Sequence, residues 1–428
     1  MTWFVQKFGG TSLADVDRIR RCAGRVASAH LEGHRVVVVV SAMAHTTDDL
    51  LALAGSAADR PDERELDMLL ATGEHVSVAL MSLALRDHGI PVESFTAHDL
   101  GISTDERHGE ARIESVDARA LAASLEVGAV AVVPGFVGLG PDGAVTTLGR
   151  GGSDTTAVAI AAALREHAPD AVVGCEIYTD VEGVFTADPR EILGARPLDT
   201  VTYEEMTEMA ALGARVLQPR AVILAQRHGL PIHVRHSTHP EPGTLIVKER
   251  PMERDAIIGC AMSDELGRLN VTELVRTAEA MSIVVDAVGR AGVRVDEILQ
   301  IERDETIDLC LAVPATGLAD ARDAARAAVE RLGGAEITVD VGFVKVSIVG
   351  VGLRSDPSIA ATMLRALAGA GIDVAAVTTS EMRMSCLVSR DRGAEAMEIV
   401  HEAFGLSETP VLPATDGIAV GHQSKPAC

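Results

Sequence analysis

The 428-residue chain sets 62 acidic against 38 basic side chains, for a formal charge of −24, and holds one Trp, two Tyr and seven Phe. Such a field repels nucleic acid and anionic membranes, and so few rings exclude a stacking platform for single strands. The length suits two to four domains, and a hydrophobic share of 47 % rich in Ala, Val and Leu suits a soluble α/β protein. Six cysteines, Cys22, Cys175, Cys260, Cys310, Cys386 and Cys428, lack paired spacing, so the expectation is a reducing cytoplasm with neither zinc site nor disulfide framework. Lys7 and two glycines interrupt any leader-like apolar run, and no stretch approaches the roughly 18 apolar residues that span a bilayer.

The chain opens with Trp3-Phe4-Val5-Gln6 as a strand, then Lys7-Phe8-Gly9-Gly10-Thr11-Ser12, then a helix from Ala14. A strand, a Gly-Gly turn and a helix start form an anion site: glycines admit a phosphate, first-turn N–H groups donate, and Lys7 adds charge. Thr11 or Ser12 is the expected helix cap, or a hydroxyl partner for a phosphate oxygen. Arg35 to Ser41, mostly valine, reads as a strand buried on both faces of a parallel sheet. Arg64 to Arg86 has helical spacing, which Thr72-Gly73-Glu74 is expected to interrupt. The bland reading of Glu74 is a solvated carboxylate at a kink, and the functional one is an acceptor for an ammonium group.

Val130 to Val133 and Ala171 to Ile177 read as further strands. Between them, Gly149-Arg150-Gly151-Gly152-Ser153-Asp154-Thr155-Thr156 is a second glycine turn ahead of a helix, with Arg150 as a fork for carboxylate or phosphate. Asp154 also fits a plain helix cap, but two such turns, each with its own cation, point to a shared anion site. Tyr178 to Gly183 and Phe185 to Arg190 form a loop whose hydroxyls, Asp180 and Arg190 suit a nucleotide. The alternation implies a mainly parallel sheet between helices. Beyond about residue 250 two shorter units follow, with 292–296 echoed at 371–375, the mark of a duplicated βαββα-type unit.

In order, Lys7 to Ser12, Val40-Ser41-Ala42-Met43, Thr72-Gly73-Glu74, Gly149 to Thr156, Ile177 to Arg190 and Leu212 to Leu217 resemble the motif series of the aspartate kinases. The resemblance runs from Met1 to about Leu412. It implies an α/β amino-acid kinase fold over 1–248, a linker and first regulatory strand over 249–262, ferredoxin-like βαββαβ ACT domains over 263–341 and 342–413, and a disordered tail over 414–428. It further implies transfer of the γ-phosphoryl of Mg2+-bound ATP to the β-carboxylate of L-aspartate. Lys7 and Asp154 would be catalytic, with Gly9, Gly10 and Ser12 on the phosphates. Ser41, Thr47, Glu74, Arg150, Gly151, Gly152 and Ser153 would border aspartate, with Glu74 on the ammonium. Thr179, Asp180, Phe185, Arg190 and Arg215 would line the nucleotide pocket. The metal would be held by phosphates and water, and a homodimer would form through the ACT units. The alternatives are a same-fold kinase for another acidic substrate and a sensor whose kinase has decayed.

The chain departs from the family pattern in places. Gly-Lys-Thr-Thr-Asp becomes Ala44-His45-Thr46-Thr47-Asp48, removing a permanent cation, and Ala97-His98-Asp99-Leu100 replaces Gly-x-Gln-Ala. Phe185 stands for a common Tyr and Glu182 for a common Asp. The effector turn Asp-x-Pro-Gly becomes Arg276-Thr277-Ala278-Glu279 in the first ACT unit and Asp356-Pro357-Ser358 in the second. The expectation is weak or absent inhibition by lysine or threonine.

Overall fold

The computed structural model describes residues 2–213, 216–250, 256–264, 266–277 and 279–407; Arg215, Ala278 and the expected tail lie outside them. In chain order the first part runs β1 (Thr2–Phe8), α1 (Val16–Leu31), β2 (Arg35–Val40), α2 (Thr46–Ala57), α3 (Glu63–Asp87), β3 (Val92–Ser94), β4 (Ile102–Thr104), β5 (Ile113–Val116) and α4 (Arg119–Glu126). It continues with β6 (Val130–Pro134), β7 (Val137–Leu139), β8 (Val145–Thr147), α5 (Gly152–His167), β9 (Val172–Thr179), β10 (Thr200–Thr202), α6 (Tyr203–Ala211), α7 (Pro219–His228), β11 (Ile232–His236) and β12 (Thr244–Val247). An eight-stranded sheet, ordered β10-β12-β11-β9-β1-β2-β6-β3, is parallel except between β11 and β12. A small sheet, β5-β4-β7-β8, sits beside it.

The valine run of β2 explains the layering. Val37 and Val39 enter the core cluster that includes α5, while Val36, Val38 and Val40 enter the cluster under α1 and α3. Each such valine, fully buried, stabilises the fold by roughly 1.5–3 kcal/mol. β1 lies between β2 and β9, and the chain leaves it toward β2 and later returns to its other side at β9. That reversal opens a crevice at the carboxyl ends of the parallel strands, where ligands of α/β sheets bind.

Two local expectations need correction. Gly10–Leu13 closes a 3-10 turn, so neither Thr11 nor Ser12 caps α1; Asp15 does, accepting from Arg18 N at 2.7 Å. α3 runs unbroken through Thr72-Gly73-Glu74. Gly73 is there for close approach, since a Cβ would lie 2.9 Å from Ala42 Cβ and 3.3 Å from Thr46 Cγ2. α3 is long and apolar enough to cross a membrane by length and composition, yet half of its most apolar stretch is packed inside the protein.

The second part runs β13 (Ile257–Ser263), β14 (Leu266–Val275), α8 (Ala280–Arg290), β15 (Glu297–Glu302), β16 (Thr306–Pro314), α9 (Leu318–Arg331), β17 (Glu336–Asp340), β18 (Phe343–Gly350), α10 (Pro357–Gly369), β19 (Val374–Thr379), β20 (Arg383–Ser389) and α11 (Gly393–Ala403). The sheets are β15-β16-β14-β17 and β13-β18-β20-β19, so β13 supplies the edge of the second unit although it precedes the first. In the first copy of the 292–296 echo, Val293 packs in the first unit's core and the strand β15 begins only at Glu297. Lys345, nearly buried on β18, joins the units by reaching Asp296 at 2.6 Å and Glu297 at 3.0 Å.

Candidate active site

Four strand exits converge at the crevice. Ser41 N donates to Phe8 O at 3.2 Å, Gly135 N to Val40 O at 2.9 Å, and Gly9 N to Tyr178 O at 3.2 Å, lacing β1, β2, β6 and β9 together. Gly10 lets two exits touch: a Cβ there would lie 2.8 Å from Ala42 O, and its own carbonyl accepts from Ala44 N at 3.0 Å. With the N–H of Gly9 spent on Tyr178 and that of Ser12 on Gly9 O, the turn offers an anion Lys7, Gly10 and the Ser12 side chain. Ser12 Oγ is buried and has no hydrogen-bond partner among the described residues.

Facing the turn is the N-terminus of α5. Gly151 precedes it in the left-handed region (φ 70°) and offers no side-chain cap; Gly152 N and Asp154 N are spent on Gly149 O and Gly151 O, and the helix dipole keeps this end a positive pole. Gly135 allows this helix against β6, since a Cβ there would meet Ser153 Cβ and Oγ at 2.6 Å. Asp154, in the first turn, sets Oδ1 2.7 Å from Lys7 Nζ, with both side chains nearly buried. The first glycine turn and the helix start behind the second therefore meet through this pair.

Glu74 closes the other wall. It is 3 % exposed rather than solvated, and its Oε1 accepts from Ala42 N at 3.1 Å. Burial pushes its carboxyl up to about 7, opposed by the Ala42 N–H. Oε2 is buried with no partner among the described residues, an acceptor matched to a cationic donor. Ser41, just past β2, and Thr47, in the first turn of α2, are half-buried. Arg150 stands in solvent, 3.8 Å from exposed Asp48, outside the crevice.

The remaining expected residues follow β9. Thr179 Oγ1 donates to Asp180 Oδ1 at 3.1 Å, while Thr179 O accepts from Ser237 N at 2.9 Å. Phe185 is half-buried and bridges Pro197. Arg190 is exposed and folded back on Asp188 at 2.6 Å. Among the described residues no cluster of three or more His, Cys, Asp or Glu could hold a metal ion.

Comparison with known proteins now bears on this geometry. A family model described as the amino acid kinase family matches residues 2–236, and an ACT domain model matches 346–404. An aspartokinase of Thermus thermophilus is 45 % identical over 412 residues, covering 95 % of this chain and 100 % of that protein. This chain belongs to the aspartokinases. Aspartokinase 2 of Bacillus subtilis is 42 % identical, with 96 % of this chain and 99 % of that one covered. Among solved structures, E. coli aspartokinase III in complex with aspartate and ADP in the R-state aligns with a TM-score of 0.76. Its identity is 25 %, over 94 % of this chain and 99 % of that chain.

Two contacts of this aspartokinase were not foreseen. Asp67 on α3 is buried and gathers donors from the 108–109 loop and β8. Its signal was its seven-residue spacing from Glu74, which places both on one helix face. His401 on α11 meets Thr186 Oγ1 at 3.0 Å, and Cys260 N donates to Thr186 O at 2.7 Å, so the ACT half touches the loop that holds Phe185. Burial, then Arg196, lowers the His401 pKa.

Proposed function

We propose that this aspartokinase transfers the γ-phosphoryl group of ATP to the β-carboxylate of L-aspartate, giving ADP and 4-phospho-L-aspartate. The observation that carries the reading is the pairing of Lys7 and Asp154 at the β1 exit, on the same rim as the unpartnered buried oxygen of Glu74. A carboxylate oxygen of aspartate attacks the γ-phosphorus while the bond to the β–γ bridging oxygen breaks, and its electrons leave on ADP. The attacking group is already an anion, so no proton must be removed; positioning and charge neutralisation carry the catalysis. Lys7 neutralises the transferring group, Asp154 holds Lys7 in place, and Gly10 with Ser12 Oγ completes the cradle.

Glu74 accepts the α-ammonium through Oε2. Ser41, Thr47 and the turn from Gly151 to Ser153 shape the amino-acid side, and Arg150 swings in from solvent to meet a substrate carboxylate. Thr179, Asp180, Phe185 and Arg190 border the nucleotide, and Arg215, outside the described residues, is assigned to the same pocket by the family resemblance alone. Mg2+ supplies charge neutralisation of the phosphates, and it would arrive with ATP, held by phosphate oxygens and water.

Residues 1–248 form the kinase unit in this reading, with 263–341 and 342–413 as ACT units that bind an amino-acid effector and pair two chains in the cytoplasm. Support for pairing comes from exposed Ile298 and Ile301 on the edge strand β15 and Val377 on the edge strand β19. The test is ADP release with aspartate or glutamate as acceptor. Turnover with aspartate well above that with glutamate is expected, and equal or absent turnover would overturn the reading.

A further inference from the structure

Helix α3 carries two buried carboxylates seven residues apart, and they are in opposite condition. Glu74 has one buried oxygen, Oε2, with no partner among the described residues. Asp67, 1 % exposed, is saturated: Thr147 Oγ1 donates to Oδ1 at 2.5 Å, His108 Nδ1 lies 2.7 Å from Oδ2, and Gly109 N reaches both oxygens at 3.1 Å. A carboxylate with its acceptor sites filled from within the protein is not waiting for a ligand. Its partners show what it holds.

Thr147 ends β8 and leads into the Leu148–Gly152 turn that bears Arg150 and opens α5. Gly109 O lies where a Cβ on Gly149 would come within 3.3 Å of it, so the 108–109 loop forms the floor of that turn. Thr147 O also accepts from Ala111 N at 2.9 Å, and Gly149 O from Gly152 N at 2.9 Å. From the other side Arg220 on α7 grips the same pair of segments, donating to Leu148 O at 2.7 Å and Ala111 O at 2.8 Å. Among the described residues, α3 carries both Glu74 and, through Asp67, an anchor for this turn. Seven residues of helix span about 10 Å, a rigid spacer between the two walls.

We propose that Asp67 is a positioning residue for the amino-acid substrate: through Thr147 and the 108–109 loop it fixes the Arg150 turn at a set distance from Glu74. This rests on the reading of aspartate lying between Glu74 and Arg150. ATP meets the opposite rim, at Lys7 and β9, which Asp67 does not touch. Loosening Asp67 therefore separates the two substrates kinetically. A general loss of structure would not.

The experiment is steady-state kinetics with each substrate varied in turn for wild type, Asp67→Ala, Thr147→Val and Thr147→Ser, with thermal melts of each. Asp67→Ala is expected to raise KM for aspartate by about 10- to 100-fold, the scale of an angstrom-level misplacement, with KM for ATP unchanged. Thr147→Val removes one donor at nearly constant shape, and should raise KM for aspartate about 10-fold with KM for ATP unchanged, while its melting point falls only by a few degrees as buried Asp67 loses one partner. Thr147→Ser, which keeps the hydroxyl, should restore it. If Thr147→Val leaves KM for aspartate unchanged, or raises both KM values alike, the positioning role is overturned while the kinase reading stands. If wild type fails to turn over aspartate at all, the kinase reading itself falls, and this role with it.

Discussion

Lys7 Nζ, at the end of the first strand, lies 2.7 Å from Asp154 Oδ1, in the first turn of the helix that follows the second glycine turn. Nearly 150 residues of chain separate the two, so the pair exists only once the central sheet is assembled. With both side chains nearly buried, each depends on the other for charge compensation. Asp154→Ala should lower kcat by about 10²-fold through a misplaced Lys7. It should also destabilise the fold by about 3 kcal/mol, because the ammonium is left buried and unpaired. Denaturant unfolding beside initial-rate kinetics reads both. A variant with wild-type kcat would detach Asp154 from the chemistry.

Glu74 makes a prediction in pH. Burial holds its carboxyl at about 7, so in the free enzyme the acceptor for an ammonium appears as pH rises through 7. KM for aspartate should fall about 10-fold between about pH 6 and pH 8, and Glu74→Gln should abolish that slope. Stability has the opposite sign. A carboxyl whose folded pKa lies above its unfolded value favours the folded state at low pH, and this contribution is lost as pH rises from 4.5 through about 7. Glu74→Gln should therefore melt higher than wild type at pH 8 in the absence of aspartate, by on the order of 3 kcal/mol at most. A lower melting point would refute the account of its burial.

What could be read in advance was local. The valine run of β2 and the glycine turns around Lys7 and Arg150 each announce themselves within a few residues, and they located a central strand of the sheet and the two turns that Lys7 and Asp154 bring together. Three things could not be read. The helix cap moved to Asp15 because Gly10–Leu13 closes its own turn. β13 joins the second ACT sheet across the whole first unit, and strand partners are settled by long-range pairing rather than by the strand's own sequence. The donors of Asp67 come from about 40 and 80 residues away, and no motif links them.

Backbone geometry gives a paired test at the β2 exit. Ala44, where the family pattern has glycine, sits in the left-handed region at φ 40°. Ala44→Gly should raise stability by about 0.5–1 kcal/mol, the steric cost removed less the added chain entropy. Gly10→Ala should do the reverse, since its Cβ would meet Ala42 O at 2.8 Å and force apart the two exits that shape the phosphate cradle. A loss of about 10²-fold in kcat is expected. Kinetics and melting curves of the two variants check both directions.

The ACT turns predict the response to effectors. Glu279 is exposed at the start of α8, where the positive end of a helix would otherwise attract an effector carboxylate, and Arg276 is drawn to Glu302 at 3.1 Å. Lysine and threonine together should leave activity nearly unchanged at sub-millimolar concentration. Clear inhibition in such a titration would show that other residues complete an effector pocket.

The most direct test of the central claim is to trap the acyl phosphate with hydroxylamine, in wild type and in Lys7→Ala. Wild type with ATP and aspartate should form aspartyl hydroxamate, and Lys7→Ala should form it about 10²- to 10³-fold more slowly while remaining folded. Hydroxamate formed at the wild-type rate by Lys7→Ala would contradict a phosphoryl-transfer site built on this lysine.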